Sequence, residues 1–289
     1  MKAKHFTYGL ILLLTAMGLG SCTEIIEIEL DSTYRRLVVY GEITTDSVHH
    51  QVELSYSSDY FLNEPAPKVS GALVELAFDD GLITLEENDT LPGFYLIPDA
   101  FRGVPGETYS LTISQIDIDE DGVDEVYQAE STMPGGLLLD SINLTYFKTP
   151  FASGYQVLMY ALDPPSREWY SFKIWKNSDL LTDTLIKYLV QSDDFFNGIY
   201  LFGLPVGFLS DEDPREALLE GDTVTLELNS IDQNYYNFVV DAQLEISGNN
   251  PLFSGPPANV RSNIKEGGQG VFTAFSIQRI SRLAPPPPE

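Results

Sequence analysis

The fold class is decided by the stretch Gly103-Val104-Pro105-Gly106-Glu107-Thr108-Tyr109-Ser110-Leu111-Thr112-Ile113. Pro105-Gly106 is a turn pair. Apolar Tyr109, Leu111 and Ile113 then alternate with polar residues, which is the period of a strand with one buried face. The same alternation recurs within residues 52–56, 72–78, 142–146, 155–161, 170–175 and 224–228. The pattern predicts a mainly β protein with antiparallel sheets.

Five segments follow from the changes in composition. Residues 1–21 have the features of a signal peptide, and residues 22–36 form an acidic tether whose alternation also fits a first edge strand. Residues 37–132 are typical of a small antiparallel sandwich of the immunoglobulin type. Met133-Pro134-Gly135-Gly136 interrupts the strand pattern and is the predicted boundary. Residues 137–283 then form a second antiparallel β domain, and residues 284–289 are a Pro-rich tail.

One helix is predicted near residues 231–246. Ser230 is the expected N-cap, because Gln233 follows three residues later as in a capping box. Gly248-Asn249-Asn250-Pro251 ends the helix. Six residues lie on one stripe at helical spacing, which predicts packing against the sheet: Ile231, Tyr235, Phe238, Val239, Ala242 and Ile246.

Cys22 is the only cysteine in the chain, and it follows small Gly20 and Ser21. Lys2 and Lys4 precede an apolar run that ends at Leu19, as in a bacterial export signal. A lipoprotein signal peptidase cuts before a lipid-modified cysteine of this kind, so we expect the mature chain to begin with lipidated Cys22. The alternative is an ordinary signal peptide with an incidental cysteine. Lipidation would provide membrane attachment and leave no thiol for disulfides, metal binding or catalysis.

The net charge of −27 is strongly negative. A field of this sign repels nucleic acid and anionic lipid surfaces, so we expect no nucleic-acid partner. The negative charge favours solubility, the attraction of cations or the binding of a basic partner.

Two resemblances to known families add to this interpretation. Val69–Val74, the turn Asp79-Asp80-Gly81 and Gly103–Leu111 resemble the carboxypeptidase-regulatory-like, transthyretin-like sandwiches of exported proteins. Such modules are usually spacers or docking domains, so the resemblance implies a non-catalytic role for residues 37–132.

The second resemblance covers nearly the whole chain. It depends on the order of several motifs: Cys22, Val39–Ile43, Asp222–Val224, Tyr235-Tyr236, Asn250–Phe253, Pro257–Ile264 and Gly267–Phe272. In this order they resemble domain-of-unknown-function family 4249 (DUF4249), although Gly268-Gln269-Gly270 replaces the usual Gly-Leu-Gly. The resemblance implies a Bacteroidota lipoprotein anchored in the outer membrane, facing the periplasm or the cell surface, and often encoded beside a TonB-dependent receptor.

Asp117, Asp119 and Asp121, followed by Gly122, have the spacing of a calcium loop. Carboxylate oxygens at alternate positions and a Gly at the bend suit a hard cation. Gln128 occupies the position of the usual bidentate Glu, and Glu125 could substitute for it. Because the loop lies between two strand patterns, the alternative is an acidic hairpin turn, which explains these residues without metal.

Asp followed by Ser or Thr and then an apolar or methyl-bearing residue occurs six times, starting at Asp31, Asp46, Asp89, Asp140, Asp183 and Asp222. The triplet resembles the acceptor of Bacteroidota O-glycosylation, which implies glycans chiefly on Thr90 and Thr184. The alternative is the ordinary transition from turn to strand.

Other candidate chemistry is sparse. His49 and His50 are adjacent, and we expect a surface pair in a turn. A Gly-x-Ser-x-Gly elbow is absent from the sequence, so that class of serine hydrolase has no support. No particular carboxylate pair indicates a glycoside hydrolase. The aromatic segment Phe195–Leu209 forms a docking patch if it is exposed and a core strand if it is buried, and burial is the expectation.

These observations favour a non-enzymatic accessory of a TonB-dependent uptake system, with affinity from aromatic surface in the C-terminal half. The alternatives are an envelope hydrolase with an unidentified carboxylate pair and an adhesion or spacer protein. A buried pocket with two facing carboxylates would favour the hydrolase, and a flat aromatic patch would favour docking.

Overall fold

The computed structural model describes residues 35–57, 65–79, 81–98, 101–247 and 260–286. It confirms a mainly β chain with several antiparallel sheets and a single helix, at 51% strand and 7% helical over the described residues. The strands in chain order are β1 (Leu37–Thr44), β2 (Gln51–Tyr56), β3 (Leu73–Phe78), β4 (Gly81–Thr84), β5 (Glu86–Glu87), β6 (Phe94–Leu96), β7 (Thr108–Ile116), β8 (Glu125–Thr132), β9 (Leu138–Lys148), β10 (Ser153–Leu162), β11 (Trp169–Lys176), β12 (Asp179–Leu180), β13 (Leu189–Ser192), β14 (Tyr200–Ser210), β15 (Thr223–Ile231) and β16 (Gln269–Leu283). Helix α1 spans Gln233–Ile246, and a 3-10 turn spans Leu185–Lys187.

The described strands form one large sheet and two smaller ones. The nine-stranded sheet has the order β12-β11-β15-β16-β1-β2-β6-β5, and β13 also pairs with β11. The four-stranded sheet has the order β4-β3-β7-β8, and the three-stranded sheet has the order β14-β10-β9. Strands β1 and β16 are parallel, so the last of the described strands lies beside the first of them.

Strand β16 connects the two halves of the large sheet because it pairs with β1 on one side and β15 on the other. Its residues alternate between two buried faces, as successive side chains of a strand must. Phe272 and Ala274 belong to the core under the four-stranded sheet. Val271 and Phe275 contact helix α1 through Tyr235 on the opposite face. This explains why Val271–Phe275 is a nearly continuous apolar run.

Two sandwich cores lie beside each other. The first combines β1, β2 and β6 with the four-stranded sheet, and it includes Leu54, Tyr95 and Leu111. The second combines β11 and β15 with the three-stranded sheet, and it includes Met159 and Phe172. Inward residues of both halves are at most a few per cent exposed, which is how the alternating patterns of the sequence are satisfied.

The predicted boundary at residues 133–136 coincides with a change of core. Met133 is buried in the first core and Leu137 in the second. Between them, Gly136 has a φ of 78° and passes so close to Ser230 that a Cβ would clash with the Ser230 hydroxyl. The large sheet nevertheless continues across the boundary through the β1–β16 pair, so the division into two domains stays a prediction.

The helix N-cap differs from the expected one. Ser230 lies in β15 and pairs with Ser276, because the β15–β16 ladder continues up to that residue. Asp232 caps the helix instead, and its carboxylate accepts the N–H of Tyr235 at 2.8 Å. Of the predicted stripe, Tyr235, Val239 and Ala242 are buried in the helix, whereas Ile246 at its last turn is exposed.

Candidate docking surface

The outward face of the three-stranded sheet is apolar. In β10, Val157, Met159 and Ala161 point into the core and are fully buried. The alternate residues Leu158, Tyr160 and Leu162 therefore point outward. Leu158 and Tyr160 are half-buried and Leu162 is exposed. Both faces of this strand carry large apolar side chains, although the outer one is not covered by another sheet.

Strand β14 contributes two phenylalanines to the same face. In the register of the sheet, Phe202 lies opposite Tyr160 and Phe208 lies opposite Gln156. Phe202 is 82% exposed and Phe208 is 38% exposed. The rings of Tyr200 and Phe202 lie 4.6 Å apart between centroids. The five residues Leu158, Tyr160, Leu162, Phe202 and Phe208 are called the aromatic face below.

The expectation that Phe195–Leu209 is buried is therefore wrong for much of the segment, since seven of its fifteen residues are exposed and four are buried. Leu201, Val206 and Leu209 are buried in the second core, whereas Phe202 and Phe208 face outward. Strand β14 lies at the edge of its sheet, and its pairing with β10 is irregular at two points. Pro205, which cannot donate a backbone hydrogen bond, is tolerated at such an edge.

A loop at the end of the sheet adds further exposed apolar surface. Phe195 is 91% exposed and Ile199 is 52% exposed. The loop between them packs on the core, because Phe196 is buried and its ring stacks on that of Tyr170 with 6.4 Å between the centroids. The backbone N–H of Gly198 also donates to Asp163 at 2.9 Å. Phe195 is thus presented by a fixed loop.

Two buried aspartates anchor this loop. Asp163 accepts the hydroxyl of Tyr170 at 2.7 Å in addition to the N–H of Gly198. Asp193 accepts the N–H of Glu168 at 2.9 Å, and its other oxygen is buried without a hydrogen-bond partner among the described residues. Burial raises the pKa of Asp163, and Asp193 adds to this by repulsion. Burial also raises the pKa of Glu168. The sequence does not reveal this cluster, because Asp193 joins Asp163 and Glu168 from a segment 25 residues beyond Glu168.

The predicted calcium loop forms the turn of the β7–β8 hairpin. Carboxylate oxygens of Asp117, Asp119 and Glu125 lie within 4.8 Å of one another. Asp117 accepts the N–H groups of Asp121 and Gly122 at 3.0 and 2.8 Å, and Glu125 accepts the N–H of Ile118 at 2.8 Å.

Asp121 is not part of this group, and its carboxylate accepts the N–H of Val123 at 2.8 Å. These hydrogen bonds account for the turn without a cation, and calcium binding stays a prediction.

The two predicted glycosylation sites are exposed. Thr90 lies in the turn between β5 and β6, where its hydroxyl donates to the amide oxygen of Asn88 at 2.8 Å. Thr184 directly precedes the 3-10 turn. Both positions are accessible to a transferase, and their modification stays a prediction. An intact mass equal to that of the lipidated polypeptide alone would reject it.

The expectation of a surface histidine pair is wrong for one member. His49 is exposed, whereas His50 is 3% exposed and its Nε2 accepts the N–H of Thr44 at 3.0 Å. Burial lowers the pKa of His50. The neutral imidazole closes the loop between β1 and β2, which is a structural role.

Cys22, the signal peptide and most of the tether lie outside the described residues, as does the end of the Pro-rich tail. Among the residues that the structure describes, none of the helices is both long and apolar enough to cross a membrane.

The fold and the aromatic face define a β-rich protein with an uncovered apolar sheet surface. The chain belongs to the family described as Domain of unknown function (DUF4249), whose model matches residues 23–281. No curated protein matches the chain.

Proposed function

We propose that the protein is a lipid-anchored, non-enzymatic component of a TonB-dependent uptake system in the outer membrane of a Bacteroidota cell. It docks on the receptor through the aromatic face. The observation that carries the proposal is the exposure of Leu162, Phe202 and Phe208 on one sheet face, beside half-buried Tyr160. Exposed contiguous apolar surface marks interaction sites, and aromatic residues are enriched in interface cores.

The sequence around Cys22 supports the lipid anchor. One acyl chain binds membranes only marginally, whereas two or three hold a protein firmly. An anchored protein can meet a membrane receptor repeatedly at high local concentration, so a modest apolar face suffices for docking. Replacing Cys22 with Ala is expected to move the protein from the membrane fraction to the soluble fraction, as fractionation and immunoblotting would measure.

A hydrolase would need two carboxylates that face a substrate. Asp163 and Asp193 are the deeply buried aspartates of the described residues, but they hold loop backbone and Tyr170 through hydrogen bonds. Neither aspartate lines the cavities of about 300, 240 and 580 Å³ that the described residues form. Glu42 and Glu53 line the second cavity, and Glu86, Glu87 and Asp89 line the third, but these acids are half-buried or exposed and do not form the buried pair that a hydrolase would need. This arrangement supports a structural role for Asp163 and Asp193, and docking is the function that the exposed residues favour.

The test is affinity purification of the lipidated protein from solubilised outer membranes. The wild type is compared with a Tyr160→Ser, Phe202→Ser double variant. The matched control is Val126→Ser, Leu244→Ser, which removes apolar side chains that are 48% and 65% exposed elsewhere. Mass spectrometry measures the TonB-dependent receptors recovered with each protein.

We expect the wild type and the control to recover a receptor, and the double variant to recover at least about tenfold less, as for interface hot spots. Failure of the wild type to recover any receptor would contradict the proposal and favour a spacer. Equal recovery by all three proteins would show that the receptor binds elsewhere.

A further inference from the structure

An apolar pocket of about 300 Å³ lies between β11 and β14 at the open edge of the second sandwich. Its floor consists of buried side chains that belong to the second core: Phe172, Ile174, Leu181, Val206 and Leu209. At about 30 Å³ per water molecule, the space corresponds to about ten waters. A phenyl ring with its methylene group fits this volume, and it would displace water from apolar walls.

Gly207 forms part of the pocket wall at a point where β14 packs closely against Ile174. It lies in β14 and lines the pocket beside Val206. A Cβ at this position would clash with Cδ1 of Ile174 on the facing strand. A larger residue at this position would therefore push the Ile174 side chain, which lines the same pocket.

The pocket is continuous with the aromatic face. Phe208 lines the pocket and also belongs to the aromatic face, where it is 38% exposed. A partner that covers Phe202 and Phe208 therefore reaches the mouth of the pocket. Interfaces of this kind are commonly anchored by one large apolar side chain in a pocket, surrounded by contacts of lower energy.

The charged residues next to the pocket indicate which residues should flank such an apolar side chain in the partner. The segment that follows Phe208 and Leu209 contains the acids Asp211, Glu212, Asp213 and Glu216 against one cation, Arg215. Glu216 lines the pocket and accepts the N–H of Ser210 at 3.1 Å.

Lys187 also lines the pocket, but its ammonium group contacts the carbonyl of Leu181 at 3.2 Å and the carboxylate of Asp183 at 3.5 Å. The charged lining residues themselves are one cation, Lys187, and one acid, Glu216. The segment that joins Leu209 to Glu216 has three acids against Arg215, and this excess of acids next to the pocket favours a basic partner.

We propose that this pocket receives a large apolar side chain, flanked by basic residues, from a peptide segment of the partner protein. The inference rests on the proposed docking function and names the chemistry that the docked segment must have. The apolar side chain fills the cavity under Phe208, and the flanking cations face Glu216 and the acidic segment 211–213.

The test uses three labelled peptides and the purified full-length protein: acetyl-Lys-Lys-Phe-Lys-Lys-amide, the same peptide with Ala in place of Phe, and acetyl-Glu-Glu-Phe-Glu-Glu-amide. Fluorescence anisotropy measures their affinities. We expect the Lys/Phe peptide to bind at least about tenfold more tightly than the Lys/Ala peptide, since a buried Phe side chain accounts for that factor. The Glu/Phe peptide should bind more weakly than either, because the excess of acids next to the pocket repels it.

Leu189→Trp is the pocket-filling variant, because Leu189 lines the cavity and is 39% exposed. Leu219→Trp is the matched control at a 71% exposed position that is not among the lining residues. Leu189→Trp should remove the preference for Phe over Ala, and Leu219→Trp should keep it. Thermal unfolding of both variants verifies that they fold, and the peptide comparison on the wild type stands without either variant.

The inference is overturned if the Lys/Phe and Lys/Ala peptides bind equally, since the binding would then be electrostatic alone. It is also overturned if folded Leu189→Trp keeps the preference. Recovery of a receptor in the affinity experiment would leave the docking function standing in both cases. Conversely, tight peptide binding without a recovered receptor would contradict the proposed partner and retain the pocket.

Discussion

The two smaller sheets cover neighbouring parts of one large sheet, but over the described residues they differ in the aromatic side chains of their outer faces. On the four-stranded sheet, Thr112 faces outward opposite Gln128 in the register, and the next pair is Ser110 and Glu130. On the three-stranded sheet, the corresponding outward pair is Tyr160 and Phe202. Both sheets bury their inner faces in the same way. The difference shows that outward aromatics are not needed to build such a sandwich, which supports a role for them in binding.

The largest expected effect tests whether the inner faces of the two smaller sheets contribute equally to the free energy of unfolding. Leu111 of β7 is 1% exposed and Met159 of β10 is fully buried. Replacing either with Ala should lower the free energy of unfolding by about 2–5 kcal/mol, because each leaves a cavity in a packed core. Urea unfolding measures the change. A cost well below 1 kcal/mol at only one of the two sites would contradict the equivalence of the cores.

The next effect separates binding from stability on the outer faces. Phe202→Ser should reduce receptor recovery about tenfold while changing the free energy of unfolding by only about 0.5 kcal/mol or less, because Phe202 is 82% exposed. Glu130→Ser on the other sheet should change neither quantity appreciably. If Phe202→Ser lowers stability by more than about 2 kcal/mol, Phe202 belongs to the core and the comparison of the outer faces fails.

The buried carboxylate of Asp163 should make the stability of the protein depend on pH in the opposite direction to an ion-paired carboxylate. The pKa of Asp163 is raised by burial, so its contribution to stability is largest below the unfolded-state pKa of about 4 and is lost as pH rises through the folded-state pKa. Asp241 has the opposite sign. Arg261 lies 2.6 Å from its carboxylate and lowers its pKa, so its contribution is lost as pH falls.

Urea midpoints between about pH 3 and 7 test this difference. Asp163→Asn should reduce the loss of stability toward neutral pH, and Asn can still accept the Tyr170 hydroxyl. Asp241→Asn should reduce the loss toward acid pH. The same slope for the wild type and Asp163→Asn would show that burial of this carboxylate is compensated by its hydrogen bonds.

The smallest effect concerns the hairpin turn of the four-stranded sheet. If the predicted calcium site is real, calorimetry should detect binding at about 10⁻⁴–10⁻³ M, as in extracellular modules, and Asp119→Asn should weaken it. Absence of heat at millimolar calcium would leave Asp117 as a turn residue. Asp117→Ala should then cost about 1 kcal/mol in stability, since the carboxylate accepts two backbone N–H groups.

Particular residues show how far sequence reasoning reaches. The alternation of Tyr109, Leu111 and Ile113 correctly predicts β7, because a strand with one buried face must repeat every two residues. The prediction of Ser230 as the N-cap is wrong because Ser230 and Asp232 are both suitable capping residues. The β15–β16 ladder includes Ser230, so the helix begins after Asp232. The role of Asp163 could not be predicted, since its partners Gly198 and Tyr170 are contributed by separate segments.

By itself, the sequence determined the β class and the alternating core residues, because these depend on residue type and local spacing; the export signal at Cys22 stays a prediction. The tertiary structure alone decided that β16 joins β1 to β15. It also decided that Phe202 is exposed while Leu201 is buried. A strand with apolar residues on both faces has the same sequence pattern whether one face or both faces are buried. Only the elements packed against each face determine which side chains remain available to a partner.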